Sequence, residues 1–136
     1  MSRATPSHPL KDLIEAADRA ITAEDFDALM AFYADDATLV VKPGLNVRGK
    51  DQIRRAFAAI ADHFNHSLAV GQGEMIVLEG ADTALVVMES IVTSLDKEGS
   101  KSSIVRRATF VFKKGEAGRW LCAIDNSYGT DLVGAA

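Results

Sequence analysis

Apolar residues recur every third or fourth position through the first half of the chain and every second position through the remainder. Leu10, Leu13, Ile14, Ala17 and Ile21 stand at helical spacing with Lys11, Asp12, Glu15 and Asp18 between them, which predicts one amphipathic helix. Thr22 is a suitable N-cap for a second helix. Glu24 and Asp25 would occupy its first turn, where the helix dipole favours acids, and Phe26, Leu29, Met30 and Tyr33 would form its buried stripe. After Asp35-Asp36 the period changes. Residues 38–41, Thr-Leu-Val-Val, are rich in β-branched side chains and are halted by Lys42-Pro43-Gly44, as a strand entering a turn. Gly49 then precedes a third helix, whose stripe is Ile53, Phe57, Ile60 and Phe64.

From residue 67 onward the pattern is strand and turn. The stretch 67–80 reads as a strand in which Gly71 and Gly73 predict a bulge or bend. Turns at Ala81-Asp82, at Asp96 to Gly99 and at Gly115 to Gly118 separate it from three further strands, giving an antiparallel meander. The fold class is therefore α+β, three helices followed by a curved sheet. Both faces of these strands are apolar. Leu85, Val87 and Ile91 alternate with Ala84, Val86, Met88 and Val92, whereas a sheet with one wet face should alternate apolar with polar. The helices can cover only one face, so a homodimer through the sheet is expected.

Composition narrows the function classes. The 136 residues, 48% apolar and 25% charged, suit one soluble domain. A net charge of −4 argues against nucleic acid as a partner, since Arg54, Arg55, Arg106 and Arg107 would have to build the basic patch together. Cys122 is the only cysteine and reads as a small buried hydrophobe. No signal peptide or membrane-spanning run is evident, so a cytoplasmic protein without a membrane partner is expected. The first nine residues, with Pro6 and Pro9, are expected to form a flexible arm ahead of a single domain over residues 10–136.

The run Ala23 to Val41, then Gly49 and the helix opening Lys50-Asp51-Gln52-Ile53, then the meander ending Gly118-Arg119-Trp120-Leu121-Cys122-Ala123-Ile124-Asp125-Asn126-Ser127, resembles the nuclear transport factor 2-like superfamily. This group includes SnoaL-like cyclases and ketosteroid isomerases. The resemblance implies a cone: a strongly curved, mixed, mostly antiparallel sheet wrapped on helices, with a pocket at the open end and dimerisation through the convex face. It implies a structural role for the shared motif Tyr33-Ala-Asp-Asp-Ala-Thr38. It also locates the isomerase base at Val41 and the oxyanion tyrosine at Ala17, two apolar side chains that exchange no proton. The steroid-isomerase mechanism is therefore not expected here.

Other candidate chemistry is sparse. His63 and His66 straddle the end of the third helix with Asp62 beside them; a metal would want more ligands, and helix-end charge explains both histidines. No nucleophile elbow or phosphate-binding glycine loop is present, so no cofactor is expected. Glu89 lies mid-strand between Val87 and Ile91 and could pair with Arg106 or Arg107. In the last strand, regular alternation puts Trp120, Asn126 and Tyr128 on one face, lining the cone. Asp125 falls on the other, at a dimer seam, and shares a pocket with Tyr128 only if a bulge intervenes. The expected site thus comprises Glu89 and Asp125 as catalytic acids, with Asn126, Tyr128, Tyr33, Arg106 and Trp120 contacting a small hydrophobic ligand. An isomerase, cyclase or dehydratase acting on such a ligand is the first reading. A non-catalytic binding or oligomerisation module is the alternative.

Overall fold

The computed structural model describes residues 8–134. Most of the expected N-terminal arm lies outside those residues. Helix α1, Pro9–Ala23, opens with His8, whose Nδ1 accepts the Leu10 amide at 3.0 Å, and with Pro9 in the first turn, where no amide hydrogen is required. It buries Leu10, Ile14 and Ala17 and ends on Glu24 in the left-handed conformation, φ 57°. Helix α2 is a single short element, Phe26–Met30. Its N-cap is Asp25, which accepts the Ala28 amide, rather than the expected Thr22, which remains inside α1 and accepts the Val70 amide from the sheet. Tyr33 consequently starts a strand rather than closing a helix stripe. Helix α3, Lys50–His63, follows Gly49 (φ 87°) and buries Ile53, Phe57 and Ala61.

Six strands form one sheet: β1 (Tyr33–Lys42), β2 (Leu45–Arg48), β3 (Ala69–Gly80), β4 (Thr83–Leu95), β5 (Lys101–Lys114) and β6 (Trp120–Asn126), in the order β2-β1-β6-β5-β4-β3. β2, four residues long, carries too little pattern to be read from sequence. All neighbours are antiparallel except β1 and β6, which run parallel. The expected bulge in β3 is present, with the β3–β4 register slipping between Gln72 and Met75. Its cause is legible in side chains. A Cβ on Gly73 would stand 2.7 Å from Glu89 Oε1, and the same oxygen accepts the Glu74 amide at 3.1 Å. Glu89 therefore holds the bulge from the convex side, and it forms no ion pair with Arg106 or Arg107, although Arg107 is its cross-strand neighbour.

The concave face packs on the helices through Ala84, Val86, Met88, Ala108, Phe110, Phe112 and Cys122. At the centre Phe32 makes edge-to-face contacts with Tyr33 at 5.1 Å and Phe112 at 5.5 Å. The convex face carries an apolar row, Leu78, Leu85, Val111 and Ile124, brought side by side by strand register, with Ile76 beside Val87 in the next row. Ile76, Leu78 and Ile124 each expose between 42% and 57% of their surface.

One irregularity sets the geometry of everything beyond it. On β5, Val111 pairs with Ile124 and the next residue, Phe112, pairs with Cys122, so Ala123 is an extra residue in β6. The bulge reverses the alternation. Trp120 and Cys122 face the core before it, and Asp125 faces the same concave side after it. Asn126 falls on the convex side, where its amide donates to Thr109 Oγ1 and the Gly129 carbonyl while its oxygen accepts the Tyr128 and Gly129 amides. This folds the 3-10 turn Gly129–Leu132 back onto the sheet. Gly129 has φ 55°, and a Cβ there would collide with the Arg107 carbonyl oxygen. We expect Gly129→Ala to destabilise the domain by about 2 kcal/mol or more through backbone strain and this collision. Urea unfolding of the two proteins measures it, and equal midpoints would contradict the packing described.

Candidate functional site

A cavity of about 180 Å³ opens between α1, α3 and the concave sheet. Its walls are apolar: Ile14, Ala17, Ile21, Phe57, Ile60, Phe64, Val92 and Phe110 are among them. Val41 and Ala17, the positions at which the resemblance located an isomerase's base and phenol, both lie in this wall as plain hydrocarbon. Against it stand a few polar side chains: Asp18 from α1, Tyr33 from β1, Ser90 from β4, Arg106 from β5, and Asp125, Ser127 and Tyr128 from the end of β6.

Asp125 is the best buried of these acids, 7% exposed. The Tyr33 hydroxyl donates to its Oδ2 at 2.6 Å. Parallel pairing of β1 with β6 makes this possible, because Tyr33 lies opposite Cys122 at the start of both strands. Burial drives the Asp125 carboxyl up to a pKa of about 6, and the Tyr33 hydrogen bond pulls it partly back. Tyr33 is held well above its ordinary value by burial first and by the neighbouring carboxylate second, so it remains a protonated donor.

Asp18 is the second acid. Burial raises it to about 7, with the charges of Asp125 and Glu15 adding to the rise; the Gln72 amide and Arg19 oppose it. Gln72 lies close to Asp18 without closing a well-formed hydrogen bond. Asp18 Oδ2 and both Gln72 amide atoms are buried with no partner. The β3 bulge is the feature that brings Gln72 to this position. Two carboxyls thus line one apolar cavity, both raised chiefly by burial, with the charge of Asp125 adding to the rise at Asp18.

The residues singled out from sequence fall into two groups. Asp125, Tyr128, Tyr33 and Arg106 come together on the cavity, Asp125 because of the Ala123 bulge and Tyr128 from the turn that follows the end of β6 at Asn126. Three do not. Glu89 supports the β3 bulge, Asn126 pins the C-terminal turn, and Trp120 is buried in the core beneath Lys114, whose Nζ sits 4.8 Å from its ring centroid. Asp18 is a site residue that the helical pattern hides, because it reads as part of α1's polar face. Its spacing from Ile14 and Ile21, four and three residues, puts it on the buried stripe. His63 lies in a shallow outer groove against α3, and His66 pairs with Glu24 at 2.9 Å. Among the described residues no group of three or more His, Cys, Asp or Glu side chains is arranged to hold a metal. None of the described helices is long and apolar enough to cross a membrane.

Comparison with known proteins bears on this geometry. The profile of the SnoaL-like domain family matches residues 10–123. The chain belongs to the SnoaL-like domain family. No curated protein matches it. Its fold is similar to that of Aln2 from a Streptomyces species, with a TM-score of 0.79 and 18% identity over 96% of this chain and 97% of that one. It is similar also to an NTF2-like protein with a cystatin-like fold from Novosphingobium aromaticivorans, with a TM-score of 0.70 and 21% identity over 91% and 86% of the two chains. The association domain of C. elegans CaMKII superposes with a TM-score of 0.67 and 19% identity over 85% and 89%. These likenesses establish the nuclear transport factor 2-like, cystatin-like fold. Family and fold together fit a small-molecule-binding protein.

Both acids bind their protons more tightly in the folded protein than in the unfolded chain, where such groups titrate near 3.8. Their stabilising contribution is complete below that value and is lost as pH rises through about 6 and about 7. The melting temperature should therefore fall between about pH 4 and pH 8, and Asp18→Asn or Asp125→Asn should flatten the fall. Calorimetry across that range checks it; an unaltered slope in both variants would count against the two protonated acids.

Proposed function

We propose that this SnoaL-like domain is an acid–base enzyme acting on a small hydrophobic carbonyl compound, of the isomerase, cyclase or dehydratase kind. The observation that carries this reading is the convergence of Asp18 and Asp125 from opposite walls onto one apolar cavity. A carboxylate in such surroundings is poorly solvated and hence a stronger base than in water, while its neighbour retains a proton to give. Asp125 is the base. Tyr33 fixes its Oδ2, which leaves Oδ1 to take a proton from carbon next to a carbonyl. Asp18, with the higher pKa, is the acid that returns a proton to the developing enolate oxygen or to a leaving hydroxyl. The Asp–Asp pair thus takes over the work of the carboxylate and phenol missing at Val41 and Ala17, from different places in the same cone.

The test is hydrogen–deuterium exchange at carbon. Wild-type protein is mixed in D2O with polycyclic aromatic ketones and 1,3-diketones, and loss of the α-proton signals is followed by NMR. We expect acceleration for at least one compound and a drop of roughly a hundredfold or more in Asp125→Asn, the usual scale of a lost general base. No acceleration across the set, with binding retained, would favour the non-catalytic module.

The convex apolar row of Leu78, Leu85, Val111 and Ile124, exposed at Leu78, Leu85 and Ile124, supports a second element, a homodimer closed through the sheet. A contiguous apolar strip of this kind is costly to leave in water. Assembly of this sort does not depend on catalysis, and it is also what a non-catalytic oligomerisation module would need. Sedimentation equilibrium should give twice the monomer mass for the wild type and the monomer mass for Leu85→Glu, which would bury a charge at the seam. A monomeric wild type at micromolar concentration would refute the dimer.

A further inference from the structure

Among the described residues, Arg106 is the only cationic side chain lining the cavity. It projects from β5 on the concave side, directly across from Ser90 of β4, and it is half-buried. Among the described residues it forms no ion pair. It does not figure among the charges that move Asp18 or Asp125. Strand register sets Arg106 apart from Asp125 along the cavity, since Asp125 pairs with Phe110 and Arg106 with Ser90. Arg106 is nonetheless held in place, because its guanidinium carbon lies 4.3 Å from the centroid of the Tyr128 ring. That contact is the attraction of a cation for the face of an aromatic ring, and it does not by itself consume the guanidinium's N–H donors. A guanidinium held over a ring, with no ion pair among the described residues, keeps donors with which to receive a planar, two-oxygen anion.

Register gives the distance scale. Asp125 pairs with Phe110 on β5, and Arg106 lies four residues further along the same strand. Four strand residues span about 13 Å between α-carbons, part of which the two side chains bridge. An anion placed near Asp18 and Asp125 would be repelled once either ionises, so the only favourable end for it is the Arg106 end.

We propose that the ligand of this cavity is an elongated, largely apolar organic acid whose carboxylate is held by Arg106 beside Tyr128 while its apolar body extends toward Asp125. The inference rests on the reading of this cavity as a small-molecule site and adds the substrate class. Arg106 is then the specificity-determining residue, setting which end of the molecule enters first and which carbon meets Asp125.

Two probes of the same shape separate charge from fit: naphthalene-2-carboxylate and naphthalene-2-carboxamide, titrated calorimetrically into wild type, Arg106→Gln and Arg106→Lys. Wild type should bind the carboxylate about tenfold or more tightly than the amide, the scale of a charge-assisted hydrogen-bond pair. Arg106→Gln should bind both with the affinity of the amide, which also reports that the variant is folded. Arg106→Lys should retain part of the preference, since it keeps the charge and loses the fork. Equal binding of the two probes by wild type, or a carboxylate preference that survives in Arg106→Gln, overturns the assignment while leaving the small-molecule cavity intact. Binding of neither probe by wild type overturns both this assignment and the reading on which it rests.

Discussion

Burying a carboxyl group in hydrocarbon is unfavourable unless it finds a donor or keeps its proton, and Asp125 does some of each. The Tyr33 hydroxyl satisfies one oxygen, and burial raises the pKa for the remainder. Much of the local architecture serves that one hydrogen bond. Tyr33 must open a strand rather than end a helix, which limits α2 to five residues. β1 must run parallel to β6 so that the phenol reaches across. β6 must gain a residue at Ala123 so that Asp125 faces inward at all. Without the first two the carboxylate loses its donor, and without the bulge it points to the convex face as an ordinary surface acid.

The positions of Glu89, Gly73 and Gln72 show the same logic at the second acid. Glu89 is on the wrong side of the sheet to touch a ligand, yet it holds the bulge that brings Gln72 toward Asp18. A carboxylate that looked catalytic from its apolar neighbours is thus structural. Its effect on the cavity passes through a glycine too small to obstruct it and an amide on the neighbouring strand. Polar groups left without partners around Asp18 are costly to bury, which is the sort of local conflict with folding that functional sites retain.

Much of the fold was legible because it follows from period and punctuation. The spacing of Leu10, Ile14 and Ala17, the strand runs and the glycines at 71 and 73 all act locally, and the structure follows them. Two apolar faces on β4 were equally plain, and the exposed Leu85 and Val87 correspond to that pattern. The site was less legible for specific reasons. Ala123 bulges without glycine or proline to announce it, so alternation put Asp125 and Asn126 on the wrong faces. Asp18 sits at core spacing, but an acid between Ala17 and Arg19 reads as solvent-facing until a cavity is seen behind it. The Tyr33–Asp125 contact joins residues 92 apart in sequence, and nothing local signals it.

The order of strands has a consequence for how the chain is assembled. β6 is the last of the described strands in chain order, yet it lies between β1 and β5 in the sheet. Until it arrives, the protein is two incomplete halves: the β1–β2 hairpin with its helices, and the β3–β4–β5 meander. Each carries an unpaired inner edge meant for the same missing strand. Such edges invite pairing with other chains, and the hazard lasts until β6 is free to pair with both. The strand that brings Asp125 to the cavity is thus also the keystone of the sheet.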